Sequence, residues 1–135
     1  MRLAFATDER NDVTDRLEAH LAERGHDVDV VGRGTPWPDV GRGVGERVRD
    51  GAADLGVVCC WTGTGVSIAA NKVDGVRAAL CGDAATADGA RRWNDANVLA
   101  LGLRLTSAAL AEEIVDAFLA GEPDPDEAAE IAKLG

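Results

Sequence analysis

Tyrosine is missing from this sequence of 135 residues, and lysine, histidine and cysteine are scarce. The three cysteines include one adjacent pair and an unmatched third, a pattern that does not indicate a disulfide framework. The spacing of a zinc site is absent too, because there is no C-x-x-C pair and His20 and His26 lie far from the cysteines. We therefore expect reduced thiols, a cytoplasmic location and no bound metal.

Basic side chains are outnumbered, since 14 Lys and Arg stand against 24 Asp and Glu, a formal net charge of −10. A field of this sign repels nucleic acid and anionic membranes, and we expect neither as a partner. No apolar segment approaches the length of a membrane span, and no secretory signal is expected. Hydrophobic residues make up 46% of the chain, which favours a single folded domain over residues 1–135.

Short apolar segments alternate with segments of helical periodicity along the chain. The short segments predict strands at 2–8, 26–32, 55–61, 76–83 and 97–104. Helices are predicted at 13–25, 40–54, 66–73, 84–93 and 107–119, followed by an acidic tail at 122–135. Several strands are apolar on both faces, as a parallel sheet covered by helices requires. The predicted fold is a single-domain α/β/α sandwich with a five-stranded parallel, Rossmann-like sheet.

The stretch from Val57 to Lys72, VVCCWTGTGVSIAANK, places a thiol directly before a Gly-Thr loop and a helix. Open parallel sheets bind ligands beyond the carboxyl ends of their strands, and Cys60 lies at such an end. A helix N-terminus stabilises anions, whether phosphate, oxyanion or thiolate, so the thiol and loop suit proton abstraction next to a carbonyl. Cys60 is otherwise a small buried residue before a turn, and Cys59 and Cys81 are expected in the core.

These segments resemble the RpiB/LacA/LacB family of sugar-phosphate isomerases. Members typically read CGTGxGxSIAANK, then a GxRAAL-like strand and EHNDANVLALGxR, whereas this chain reads CWTGTGVSIAANK, VDGVRAAL and RWNDANVLALGLR. The opening RLAFATD and the Pro38-Asp39 pair also match. The resemblance implies interconversion of aldose and ketose phosphates through a cis-enediol, without metal or organic cofactor. It also implies a homodimer or homotetramer whose site is completed by the neighbouring subunit.

The resemblance assigns roles to individual residues as well. It makes Cys60 the acid/base that moves the proton, with Thr62 and Asp8 as further catalytic or substrate-contacting groups. Asn94 matches a ligand of the sugar hydroxyls and Arg104 a phosphate ligand. The enediolate oxygen is expected to meet the backbone N–H groups of the loop, which are those of Gly63, Thr64, Gly65, Val66 and Ser67.

The chain also departs from the family pattern. Glu9 stands where members have the first histidine, Trp93 where they have the second, and Trp61 where they have glycine. The tail at 122–135 contains no arginine, whereas members use C-terminal arginines to clamp phosphate. Together with Trp37, the two substituted tryptophans predict an aromatic rim that stacks on a sugar, the alternative being that they fill a subunit interface.

Other polar residues are interpreted more simply. Arg10 either replaces part of the lost phosphate clamp or is a surface residue. Arg91 and Arg92 are expected in solvent or at an interface, and Asp83 at the start of the next helix. The predicted function is that of an aldose–ketose isomerase acting on a small sugar or sugar phosphate. The loss of both histidines leaves an alternative, a non-catalytic sugar-binding or regulatory paralogue or a partner subunit of a hetero-oligomeric isomerase.

Overall fold

A computed structural model describes all residues, 1–135, and confirms the predicted α/β architecture. The strands are β1 (Arg2–Thr7), β2 (Asp27–Arg33), β3 (Leu55–Cys60), β4 (Ala78–Leu80) and β5 (Val98–Gly102). The helices are α1 (Asp12–Glu23), α2 (Trp37–Arg49), α3 (Thr64–Asn71), α4 (Ala84–Asn94), α5 (Ala108–Ala120) and the short α6 (Ala128–Ile131). All strand pairs are parallel, in the order β2-β1-β3-β5-β4. No helix is both long enough and apolar enough to cross a membrane.

Each face of the sheet carries its own hydrophobic core, because successive side chains of a strand point to opposite faces. Phe5 and Cys59 belong to the larger core, which includes α1 and α5, whereas Ala6 and Cys60 belong to the core under α2 and α3. Cys59 and Cys81 are buried, as the sequence predicts. Burial raises the pKa of Cys59 to about 12 and that of Cys81 to about 11, so both thiols stay protonated.

Helices α2 and α3 pack in unusually close contact. A Cβ added to Gly41 of α2 would lie 2.5 Å from the Ala69 Cβ and 2.7 Å from the Ala70 N, so only glycine fits this crossing. The same approach places the Trp37 ring on the first turn of α3, where a Cβ at Gly65 would meet ring atoms at 2.9 Å. The glycines therefore fix Trp37 beside the loop that the sequence singles out.

Two elements differ from their predicted bounds by more than two residues at one end. Helix α2 begins at Trp37 and not at residue 40, because Pro36 precedes it and the fixed φ of Pro38 suits a first helical turn. Strand β4 has three residues where eight were predicted. Its outer edge is covered by Asn71, whose side-chain amide donates to the Ala78 carbonyl at 3.0 Å and accepts from the Ala78 N–H at 2.8 Å. A side chain thus takes the place of a further strand.

The location predicted for Arg91, in solvent or at an interface, is wrong, because the residue is only 8% exposed within one chain. Its guanidinium donates to the Ala96 carbonyl at 2.6 Å and to the Gly121 carbonyl at 3.3 Å. Packing of α4 against α5 covers it, and the guanidinium lies 5.6 Å from the Phe118 ring centroid. Arg92 remains at the surface. Asp83 caps α4 as predicted, with its carboxylate accepting from the Thr86 N–H at 2.7 Å, and this hydrogen bond lowers the pKa of Asp83.

Candidate active site

The carboxyl ends of β1 and β3 place Asp8 beside Cys60. Thr7 and Cys59 are paired in the register of these strands, so the residue that follows each lies at the same edge of the sheet. The Asp8 N–H donates to the Cys59 carbonyl at 2.9 Å, and this bond holds the start of the next loop against β3. The Asp8 side chain is half-buried and makes no ion pair within the chain. One chain thus brings the predicted acid and the predicted thiol together.

The Cys60 thiol lies under the first turn of α3. It is 7% exposed, and its Sγ accepts a hydrogen bond from the Gly63 N–H at 3.2 Å. Gly63 is the N-cap of α3 and has a φ of 76°, a left-handed conformation that a Cβ disfavours. The positive end of the α3 dipole lies at the same point. The Cys60 sulfur therefore sits beside a backbone donor at the start of a helix.

The loop offers fewer free donors than the sequence predicts. The Gly63 N–H is occupied by the Cys60 sulfur, and the Ser67 N–H donates to the Gly63 carbonyl at 3.3 Å inside the helix. No acceptor within the chain meets the N–H groups of Thr64, Gly65 and Val66. Val66 is fully buried, so the donors open to an oxyanion are those of Thr64 and Gly65. The hydroxyls of Thr62 and Thr64 lie 2.7 Å apart beside them. The donors of the loop that an anion can reach are thus those of Thr64 and Gly65.

Arg104 flanks the thiol on the side of β5. Cys60 is paired with Gly102, and the Arg104 N–H donates to the Trp61 carbonyl at 2.8 Å. Every other arginine of the chain forms an ion pair with a carboxylate, whereas Arg104 forms none. Arg104 is therefore the one arginine whose charge is free to bind an anion, and it lies at the edge where Cys60 ends β3.

Glu9 and Arg10 follow Asp8 in the exposed loop between β1 and α1. The Arg10 Nε is 3.1 Å from the Asp15 carboxylate, and both side chains are exposed. Arg10 is thus already neutralised, which favours the surface interpretation over phosphate binding. The Glu9 side chain is exposed without an ion-pair partner, and its carbonyl accepts from the Thr7 hydroxyl.

Asn94 and Trp93 lie away from the thiol within one chain. They end α4, and the helices of a parallel sheet run opposite to its strands, so this end of α4 lies where the strands begin. In agreement, Arg77, which precedes β4, donates from its Nε to the Asp95 carbonyl at 2.7 Å. The expectation that all three tryptophans surround one site is therefore not met within a single chain. Trp61 alone directly follows β3, and only Trp37 joins it on the first turn of α3.

Asn94 nevertheless has the properties of a ligand-binding residue. It is the only asparagine whose side-chain amide makes no hydrogen bond within the chain, since Asn11, Asn71 and Asn97 are all engaged. It is also exposed, in a groove beside the edge of β4. Nowhere in the chain do three or more His, Cys, Asp or Glu side chains cluster as metal ligands do.

Comparison with known proteins places the chain in a family. Residues 3–134 match the family model described as Ribose/Galactose Isomerase. The galactose-6-phosphate isomerase subunit LacB of Clostridium acetobutylicum is 42% identical over 118 residues, which cover 84% of this chain and 68% of the relative. The D-erythrulose-4-phosphate isomerase of Pectobacterium atrosepticum is 40% identical over 118 residues, which cover 87% of this chain and 78% of that protein.

A solved structure gives the same result. The ribose-5-phosphate isomerase B of Clostridium thermocellum superposes with a TM-score of 0.92 at 38% identity, and the match covers 100% of this chain and 95% of that one. These relatives share their isomerase class and differ in the sugar phosphate named. The chain belongs to the ribose/galactose isomerase family and is an aldose–ketose isomerase of sugar phosphates.

Proposed function

We propose that the reaction proceeds through a cis-enediol, with Cys60 as the group that moves the proton between the two carbons. The observation that supports this most directly is the Cys60 Sγ, which accepts from the Gly63 N–H at 3.2 Å at the start of α3. A thiolate held there removes the proton from the carbon next to the carbonyl, and the electron pair moves onto the carbonyl oxygen. Return of the same proton to the neighbouring carbon, with the hydroxyl proton passed between the oxygens, completes the isomerisation.

The other groups at this edge act on the oxygens of the enediol. The free N–H groups of Thr64 and Gly65 stabilise the oxygen on which negative charge develops. Thr62, whose hydroxyl is 2.7 Å from that of Thr64, passes the proton between the two oxygens. Asp8 accepts hydrogen bonds from substrate hydroxyls and thereby orients the reacting carbons.

Arg104 supplies the positive charge for the substrate phosphate. It is the only arginine without a carboxylate partner, and the acidic tail contributes no second one. The phosphate is therefore held with fewer charges than a multi-arginine clamp provides. The exposed rings of Trp37 and Trp61 offer apolar faces to the sugar instead.

A second subunit completes the site in this proposal. Asn94 and Trp93 lie at the opposite end of one chain from Cys60, and we propose that in a homodimer or homotetramer they reach the Cys60 of a neighbour. Large apolar side chains are exposed on α3 and after β5, with Ile68 at 59% and Leu105 at 81%, as expected of surfaces that an oligomer covers. Three free cysteines and no disulfide fit a cytoplasmic location.

Co-expression of Cys60→Ala and Asn94→Ala chains with different tags tests this composite site. In a hybrid oligomer one site receives an intact Cys60 from one chain and an intact Asn94 from the other. We expect the purified hybrid to exceed the mean activity of the two parent variants. A hybrid no more active than that mean would place the whole site within one chain.

The chemistry is tested by solvent exchange in D2O, followed by NMR, with ribose 5-phosphate, D-erythrulose 4-phosphate, galactose 6-phosphate and their unphosphorylated counterparts. We expect deuterium to enter the carbon next to the carbonyl of at least one sugar phosphate. Cys60→Ala abolishes this exchange, whereas Cys81→Ala, the control for loss of a thiol elsewhere, preserves it. Exchange that persists in Cys60→Ala removes Cys60 from the mechanism.

A second candidate is that the chain is active only as one subunit of a hetero-oligomeric isomerase. It is favoured by the replacement of both family histidines and by the name of the LacB relative, which is described as a subunit. In that case the purified chain is stabilised thermally by one sugar phosphate of the panel and shows no solvent exchange. Exchange by the isolated chain excludes it.

A further inference from the structure

Asp95 directly follows Asn94 and is the only non-glycine residue of the chain with a positive φ, at φ 47° and ψ 44°. A left-handed residue just after a helix is usually glycine, because a Cβ makes this conformation costly. Residues in such sparsely populated conformations persist where their surroundings fix them, and they are frequent at functional sites. Asp is one of the few residues with a Cβ that tolerate this conformation, but the turn itself does not require a carboxylate.

The Asp95 carboxylate bridges two arginines from different elements. One oxygen accepts from the Arg91 Nη1 at 3.1 Å and the other from the Arg77 Nη2 at 3.2 Å. The Arg77 Nε also donates to the Asp95 carbonyl at 2.7 Å. Arg77 and Arg91 are largely buried, with side chains 25% and 10% exposed, so water competes little for these bonds.

The two arginines are themselves attached to the framework. Arg91 is held by the carbonyls of Ala96 and Gly121, and the Arg77 N–H donates to the Asn97 side chain at 2.7 Å. Arg77 enters β4 and Asn97 enters β5, so both strands fix the position of the carboxylate. The turn after α4 is thereby tied to the sheet and to α5.

We propose that Asp95, held between Arg77 and Arg91, is a positioning residue that presents Asn94 to the substrate. This inference depends on the proposed role of Asn94 in binding sugar hydroxyls. Asn94 is the last residue of α4, and its free amide projects from a backbone whose direction the Asp95 turn sets. Glycine would permit the same turn without the carboxylate, so the acidic side chain adds rigidity that helix termination does not need.

Asp95→Gly separates these two roles, since it keeps the left-handed turn and the backbone bond to Arg77 and removes only the bonds of the carboxylate to the two arginines. With the sugar phosphates of the exchange panel, we expect KM to rise about 3- to 10-fold, the effect of one weakened hydrogen bond, with kcat within about twofold of the parent. Asp95→Asn keeps the size of the side chain, and asparagine also tolerates the left-handed turn, so we expect a smaller rise in KM. The control Asp88→Asn removes an exposed ion pair with Arg92 on the same helix and leaves KM unchanged.

A double-mutant cycle distinguishes positioning from a general structural role. If Asp95 acts through Asn94, Asp95→Gly has no further effect on KM in an Asn94→Ala background. The proposal would be overturned if the double variant showed the product of the two separate fold-changes in KM. An unchanged KM in Asp95→Gly when Asn94→Ala raises it would also overturn the proposal, a result that leaves the proposed function intact. Solvent exchange that survives Cys60→Ala overturns the proposed mechanism and not the positioning.

A measurement without turnover tests the same point. Nitrogen-15 relaxation of the Asn94 side-chain amide reports its mobility on the ps–ns timescale. We expect this amide to become more mobile in Asp95→Gly and to remain unchanged in Asp88→Asn. Equal mobility in Asp95→Gly and the parent chain would contradict positioning by the carboxylate.

Discussion

Gly63→Ala adds one methyl group at the point where the thiol, the sheet and α3 meet. The new Cβ would lie 2.4 Å from the Leu80 Cδ1, 2.8 Å from the Gly102 N and 2.9 Å from the Leu101 carbonyl carbon. Leu80 can move, but the β5 backbone cannot without breaking its pairing with β3. The φ of 76° adds a conformational cost that only glycine avoids.

The loss of stability is the sum of the conformational cost and the steric cost. A left-handed residue with a Cβ costs about 1–2 kcal/mol, and overpacking against backbone costs about 1–3 kcal/mol. We therefore expect the free energy of unfolding to fall by about 2–5 kcal/mol, and the melting temperature by about 6–20 °C for a chain of this size. Solvent exchange should fall as well, because the Gly63 N–H that donates to the Cys60 sulfur must move.

Gly65→Ala is the matched control two residues further along. Its added Cβ would meet only the ring of Trp37, at 2.9 Å, and that ring is exposed enough to rotate away. Alanine also favours a helix over glycine by about 1 kcal/mol, so we expect a stability within about 1 kcal/mol of the parent. Thermal unfolding followed by circular dichroism compares the two variants. Equal melting temperatures for Gly63→Ala and Gly65→Ala would refute the reasoning about this loop.

Three further predictions concern other parts of the chain. A thiol reagent at neutral pH should label Cys60 alone in the folded protein, because burial holds the pKa of Cys59 and Cys81 near 12 and 11; mass spectrometry that finds Cys81 labelled would contradict this. Burial, aided by the N-terminal ammonium, lowers the pKa of His26 below 6.5. The stability that neutral His26 contributes is therefore complete above pH 6.5 and is lost as the pH falls through the lowered pKa. In His26→Gln, the melting temperature should change less between pH 7.5 and pH 5 than it does in the parent chain. Phe118→Ala should cost about 3–5 kcal/mol in urea unfolding, since this ring is fully buried on α5, and a loss below 1 kcal/mol would be inconsistent with that packing.

Much of the fold is predictable because the periodicity of apolar residues within each segment determines which of its side chains are buried. The opposite orientations of Cys59 and Cys60 follow from alternation along β3, and the buried stripe of α1 from its four-residue spacing. The cover on the outer edge of β4 is different, since it comes from Asn71, which reaches Ala78 from the end of α3. A side chain that replaces a strand leaves no periodic signal in either segment.

The candidate site divides in the same way. Cys60 and its loop are adjacent in sequence, so the strand, the glycines and the helix start identify them together. The burial of Arg91 depends on contacts with α5, and the position of the Asp95 carboxylate depends on Arg77, which precedes β4. The spacing of residues in the sequence predicts neither contact. One signal was present, because Asp and Asn are the residues that best tolerate a left-handed turn after a helix. The NDAN sequence does not itself show which residues hold the turn in place.

The charge of the chain makes the free Arg104 more significant than a surface arginine usually is. A net charge of −10 repels a sugar phosphate at long range, although physiological salt screens this repulsion beyond about 8 Å. Capture must therefore come from fields inside that distance, and at the Cys60 edge these are the N-terminus of α3 and the Arg104 guanidinium. The other arginines contribute little, because each is neutralised by a carboxylate partner. If Arg104 binds the phosphate as we propose, salt acts in two opposite directions, since it weakens the distant repulsion while it also competes with phosphate at Arg104. An enzyme with a distributed arginine clamp would show mainly the second effect, so the balance of the two distinguishes this site from a conventional phosphate clamp.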